Sequence, residues 1–349
     1  MQELGTTRRA GYLMAISGGL LWAIGGAVGQ HLFRTNTITT NWLIPIRLLL
    51  AGVLFLLLAK VTGEEVRAVW KSRKDLPRLV LYAVFGVAAS QYSFYACIEY
   101  ANVAFSTVMC YTCSVFILVW CIFRERRRPK LYEVAAVLCV VVGVFACATH
   151  FDLSCLSVSP FALVMGLTCG VTATINTLSP VDLTARHGLL SVMGWGMLMG
   201  GAVAALLFRP WTIQAQVDAA LIGGMAVIIL GGTILAFTFY MRGIRLVGPI
   251  AGNVLSATEP VAAVIISVLI LGVAFTAYDF LGFLLILLTV PLIAIGQNKE
   301  EGAKKAPSDE GAVAKRLRER SRSAEGSTAL RDSVSLQSFL DPPTLYVCQ

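Results

Sequence analysis

Glu259 stands inside an apolar run as Ser256-Ala-Thr-Glu259-Pro260. A carboxylate surrounded by aliphatic residues is expensive to keep charged, and by default it marks a place where a proton, an ion or a cationic group is exchanged. Pro260 lacks an amide donor and frees a carbonyl one turn earlier, so a helix break that lines a cavity is expected there. A hydrogen-bonded Glu259 that latches its helix to a neighbour fits the sequence equally well. Arg47 is the one cation within the apolar runs. It would steer an anionic group such as a carboxylate, or else pair with another helix or reach the headgroups, and the structural role is favoured. Gln91 and Tyr95 lie four residues apart on one helix face with Tyr92 beside them, and Tyr111 follows in the next run. With Trp22 and Asn253 they form a set of rings and amides that would hold a zwitterionic or aromatic substrate without a full charge, although packing alone also explains aromatic residues at this spacing.

Enzymatic and metal chemistry find little support. Cys110-Tyr-Thr-Cys113 mimics a CxxC but has no second pair and no nearby His, and seven of the nine cysteines fall in apolar runs, where they read as small packing residues. His31, His150 and His187 lack ligand spacing, and the chain contains no GxxxxGK[ST], GxSxG or HExxH. No catalytic residue, metal or cofactor is therefore expected, nor a nucleic-acid partner, and any uphill movement of solute would have to be ion-coupled.

The elements that must position these residues are membrane helices. The chain has 349 residues, 57% of them hydrophobic and 14% charged, with a mean hydropathy of +0.75, which excludes an ordinary water-soluble domain. Ten apolar segments are read at 11–33, 42–59, 79–99, 103–123, 131–149, 159–179, 188–208, 219–241, 247–273 and 280–297. The first is too long and too interrupted for a cleaved signal peptide. Most Lys and Arg, including Lys60 to Arg78 and Arg124 to Lys130, fall in alternate connections, which predicts both termini in the cytoplasm. The 60–78 connection reads as a short amphipathic helix on the inner leaflet or as a solvated basic loop. From Lys299 the composition turns polar, so 298–349 reads as a disordered cytoplasmic tail.

The chain also resembles itself at a period of about 145–148 residues. Gly19-Leu-Leu-Trp22-Ala-Ile is echoed by Gly166-Leu-Thr-Cys169-Gly-Val, and Tyr95-Ala-Cys-Ile-Glu-Tyr-Ala by Tyr240-Met-Arg-Gly-Ile-Arg-Leu. This divides the chain into five-helix halves at 1–152 and 153–297. Five is odd, so the halves are expected to be inverted repeats, with a substrate site near the midplane between them. Small-residue pairs at Gly25 and Gly29, Gly196 and Gly200, and Gly248 and Gly252 predict close helix contacts.

At these residues the chain resembles the EamA-type transporters of the drug/metabolite transporter superfamily. The resemblance rests on Leu20-Leu-Trp22, Arg47, Gln91-Tyr-Ser-Phe-Tyr95-Ala, Tyr111-Thr-Cys-Ser-Val-Phe116 and Glu259-Pro260-Val261, and it covers residues 10–297. The chain departs from the family where a Pro commonly follows a Thr-Ser pair in the fourth helix, and where an acid follows the ninth but this chain has Gly272-Val273. The missing Pro argues against symmetric helix breaks. The resemblance implies a ten-helix, all-α integral protein of the inner membrane that exports a small amino-acid-like metabolite by alternating access, with Glu259 open to proton coupling. Trp22, Gln91, Tyr92, Tyr95, Tyr111, Asn253 and Glu259 are the candidate substrate contacts. Two other readings remain open: a membrane-embedded transferase or hydrolase acting on lipid-linked substrates, and a sensor or scaffold that signals through the basic tail.

Overall fold

A computed structural model describes residues 2–35, 38–126, 128–152, 157–247, 255, 258–293 and 295–296. Asn253, Gly248, Gly252 and the tail 298–349 lie outside them. Among the described residues the chain is helical, without strands. Eight helices are long and apolar enough to cross a membrane. They are α1 (Gln2–Thr35), α2 (Thr40–Val61), α3 (Leu76–Tyr100), α4 (Val103–Arg124), α5 (Leu131–Thr149), α6 (Pro160–Leu178), α7 (Leu189–Phe208) and α8 (Ala219–Ile244). Two shorter apolar helices follow, α9 (Thr258–Leu269) and α10 (Ala277–Ile293). Glu259 and Pro260 stand in the first turn of α9, and Thr258 Oγ1 donates to the Leu255 carbonyl at 2.8 Å.

Apolar side chains face hydrocarbon as readily as protein, so close backbone approach must supply much of the packing. The longest shared face joins α2 and α7. A Cβ on Gly52 would lie 2.6 Å from the Leu198 nitrogen, and one on Gly201 would lie 2.8 Å from the Leu49 nitrogen. The same device brings α1 onto α8 at Gly25 and Gly232, and α6 onto α3 where Gly86 meets the Asn176 backbone. Gly29 packs on the Tyr95 ring, and Gly196 and Gly200 pack on Tyr82 and Ala83. Pro45 sits inside α2 without ending it.

Two helices carry widened turns. Tyr82–Ala88 in α3 and Val227–Leu235 in α8 are π-helical, and they begin about 145 positions apart. An extra residue in the turn moves everything beyond it to a new face of the helix, which is why such segments gather near functional surfaces. The fourth helix is interrupted even without the family's proline. A turn at Thr112 separates Val103–Tyr111 from Cys113–Glu125, with Thr112 Oγ1 bonded to the Met109 carbonyl at 2.7 Å and packed against Gly170 of α6.

The 60–78 connection is largely exposed, with Val69 and Asp75 buried. It forms only a short helical turn, Ala68–Lys71, and folds onto α7. Glu64 accepts from the Ser191 and Leu190 amides at 2.9 and 3.4 Å, capping the positive end of α7. Trp195 Nε1 donates to the Val66 carbonyl at 2.8 Å, and the Trp70 and Trp195 rings meet edge to face at 4.9 Å.

These contacts predict that Gly52→Val, which drives a branched side chain into the α7 backbone, destabilises the protein by about 3 kcal/mol, the upper end of overpacking costs. Gly223 has nothing within 4 Å of a built Cβ, so Gly223→Ala should leave stability unchanged or raise it by up to about 1 kcal/mol through helix propensity. Thermal unfolding of detergent-purified protein compares the two.

Candidate functional site

A cavity of about 320 Å³ opens among these helices, at the small end of the range for small-molecule sites. Its wall takes Trp22 from α1, Arg47 from α2, Gln91 and Tyr95 from α3, Cys110 and Tyr111 from α4, Asn176 and Thr177 from α6, Gly232 from α8, Glu259 from α9 and Val290 from α10.

Arg47 organises one side of it. Its side chain is nearly sealed, with 6% of the residue exposed. Nη1 donates to Gln91 Oε1 at 2.7 Å, and Nη2 and Nε donate to Thr233 Oγ1 at 3.0 and 3.4 Å. The guanidinium carbon lies 4.8 Å from the centre of the Tyr95 ring, a cation–π contact in a dry setting. Thr233 belongs to the π-helical segment of α8, and its own hydroxyl donates five residues back to the Ile228 carbonyl at 2.9 Å. A guanidinium carries five N–H donors. Three are engaged, which leaves one on each terminal nitrogen for a ligand. Of the two structural roles read for Arg47, pairing between helices is therefore what the structure shows, and reaching the headgroups is not.

Among the described residues Glu259 has no hydrogen bond or ion pair. The latch read as an alternative for it therefore has no described partner. Trp22 is fixed by Tyr240, ring centres 5.0 Å apart, and Tyr95 is held between Phe33 and Phe94 at 6.3 and 5.5 Å. Tyr92 is turned elsewhere. It does not line the cavity, its hydroxyl donates to Asn41 Oδ1 at 2.9 Å, and its ring stacks on Phe208 at 4.5 Å. The structure thus brings Trp22, Gln91, Tyr95, Tyr111 and Glu259 together with Arg47, and separates Tyr92 from them. Ser90, Asn176 and Thr177, which also line the cavity, were not anticipated. Their signal was a polar residue in an apolar run, which for Thr177 is weak because its hydroxyl donates one turn back to the Ala173 carbonyl at 2.8 Å.

Beyond the cavity, ion pairs tie helix ends. At the start of α3, Asp75 takes His187 Nε2 at 2.8 Å and Arg186 Nη1 at 2.9 Å. Those two residues end the short helix Val181–His187 that precedes α7. The His187 hydrogen bond, with Ser72 and Arg186 adding to it, holds the Asp75 carboxyl below the usual carboxylate range. His150, near the end of α5, meets Asp279 Oδ1 of α10 at 2.9 Å and stacks on Tyr278. Among the described residues no His, Cys, Asp and Glu group could hold a metal ion.

Comparison with known proteins agrees with this architecture. The profile of the EamA-like transporter family matches twice, over residues 9–149 and 160–295. An inner membrane transporter of Salmonella typhimurium, YicL, described as uncharacterized, is 31% identical over 300 residues, covering 86% of this chain and all of that one. A crystal structure of a further protein shares the fold with a TM-score of 0.57 at 15% identity, over 84% of this chain and 99% of that one.

Thr233→Val keeps the shape and removes the acceptor of two Arg47 bonds. It should lower stability by about 2 kcal/mol, the worth of hydrogen bonds to a charged group, and thermal unfolding in detergent reads it. Asp75 offers a second test. A carboxyl with a depressed folded-state value contributes stability that is present above its unfolded value near pH 4 and is lost as the pH falls through the folded value. The unfolding midpoint of Asp75→Asn should therefore lie below wild type at neutral pH, and the two should converge as the pH falls below 4.

Proposed function

The chain belongs to the EamA-like transporter family, and on that premise we propose that this membrane transporter is a secondary carrier rather than an enzyme. It exports a small zwitterionic, amino-acid-like metabolite by alternating access. The observation that carries the substrate class is the presence of both charges in one cavity wall: Arg47 with two N–H donors unused, and Glu259 without a partner among the described residues. A carboxylate of the substrate meets the first and an ammonium meets the second. The rings of Trp22, Tyr95 and Tyr111 and the amides of Gln91 and Asn176 border the remainder.

The halves 1–152 and 153–297 act as inverted repeats. The double family match supports this, as does the placing of α1 on α8 and of α6 on α3, each pair meeting at a glycine. So does the similar position of the two π-helical segments. In this reading α9 and α10 complete ten crossings, and the Lys and Arg pattern puts both termini and the 298–349 tail in the cytoplasm. The inner membrane is the expected location.

A lone carboxylate in a low-dielectric wall is unfavourable. It is relieved by a proton or by the ammonium of the substrate, not by both. Competition between the two is a coupling device: a proton entering from outside displaces the substrate, and an inward proton gradient drives efflux.

Counterflow in proteoliposomes, with labelled neutral amino acids and an imposed pH gradient, tests this reading. Wild type should exchange at least one of them saturably and concentrate it on the acidic side. Glu259→Gln should keep at most about a tenth of the gradient-driven accumulation, the tenfold loss that 1.4 kcal/mol of coupling represents. Full, pH-insensitive accumulation by Glu259→Gln would remove the carboxylate from the mechanism.

A further inference from the structure

A second concavity, of about 290 Å³, lies away from the central cavity between the end of α4 and the start of α5. Its walls are aliphatic and aromatic: Val119, Ile122 and Phe123 from α4, and Val134, Val137 and Leu138 from α5. It exists because α5 spends its packing on another neighbour. Tyr132 of α5 lies against Gly296, Gly143 against Ile286 and the Gly282 carbonyl, and Cys147 against Gly282, so one stripe of α5 runs along the last helix. The stripe with Val134 and Leu138 is left to face α4 and the bilayer, and Leu138 and Phe123 are 57% and 76% exposed. The acid in this wall, Glu133, is sealed and already accepts from the Lys130 amide at 2.8 Å.

At the mouth of this groove the chain turns from α4 into α5 through Arg124, Arg126 and Arg128, all exposed. Arg126 caps the helix in a left-handed conformation, with φ 50°. Among the described residues none of the three makes an ion pair. An apolar slot that opens beside three exposed guanidinium groups has the two chemistries of a phospholipid in their natural order, acyl chain at membrane depth and phosphate at the interface. A second copy of the chain suits it less well, because a two-fold contact through this patch would set the same arginines against each other.

We propose that this groove is a binding site for one anionic phospholipid, its acyl chain lying between α4 and α5 and its phosphate held by Arg124, Arg126 and Arg128. The lipid fills a gap that the protein's own side chains leave open, and it neutralises the α4 to α5 turn. None of these residues lines the central cavity, so the inference stands apart from the proposed substrate and coupling.

The test counts lipid that stays with the full chain through detergent purification, by native mass spectrometry, after exposure to vesicles of equal phosphatidylglycerol and phosphatidylcholine. Wild type should retain one phosphatidylglycerol with a preference of at least about tenfold, given roughly 1 kcal/mol for each Arg near an anionic headgroup. The combined Arg124→Gln, Arg126→Gln, Arg128→Gln variant should retain the two lipids equally. Leu138→Trp, which fills the slot and leaves the arginines in place, should lose the bound lipid. Each variant is checked for an unchanged unfolding midpoint. Equal retention of both lipids by wild type, or phosphatidylglycerol retention untouched by both variants, would overturn the proposal. A wild-type dimer that Leu138→Trp converts to monomer would assign the groove to a second copy instead.

Discussion

A buried guanidinium dictates much of this architecture. Arg47 cannot lose its charge, so its surroundings must supply acceptors at membrane depth. They come from two other helices, Gln91 of α3 and Thr233 of α8, with the Tyr95 ring offering its face. The same three bonds that engage part of the cation cross-link α2, α3 and α8 around the cavity. The π-helical turn of α8 places Thr233 in this set, and that of α3 immediately precedes the face bearing Gln91 and Tyr95. The glycines that let α1 close on α8 and α6 on α3 keep the wall narrow, so the cavity is small and its polar groups are few.

Glu259 has the opposite character. Arg47 is nearly satisfied by protein, whereas Glu259 has no described partner, so one charge of the cavity is structural as well as available and the other is available only. The difference makes the two ends of a zwitterion unequal in consequence. The carboxylate would join an existing network, and the ammonium would meet an acid that has no partner among the described residues. In the proposed coupling, a proton would compete with the substrate at that acid.

Much of the helical frame was legible in the sequence, because runs of about twenty apolar residues admit one solution in a bilayer. Gln91, Tyr95, Trp22, Tyr111 and Glu259 stood out because a large polar or aromatic group in such a run calls for an explanation. Tyr92 stood out for the same reason, yet its rotation about the helix turned it to Asn41 and Phe208. A shift of one residue along α3 decides that, and the π-helical turn upstream, which no composition signal announces, sets the rotation. Arg47 was read as either an anion-steering or a structural residue, with the structural role favoured, and it does pair α2 with α3 and α8; its simultaneous place in the cavity wall depends on which side chains of α3 and α8 face it. The interruption at Thr112 was hidden because it needs no proline: a threonine back-bond and the close approach of Gly170 suffice. The packed 60–78 connection was ambiguous because Val66, Val69 and Trp70 suit a lipid surface and a protein surface alike.

On the proposed function, Arg47 and Glu259 read the two ends of one small molecule. The most direct measurement takes an amino acid that the protein exchanges and offers two truncated forms as competitors in proteoliposomes, the methyl ester without the carboxylate and the deaminated acid without the ammonium. The intact zwitterion should compete best, with each truncated form weaker by at least about tenfold, a conservative share of the energy of one charge-assisted contact. Equal competition by either analogue would show that one of the two charges does not touch the substrate, and would overturn its assignment to a substrate end.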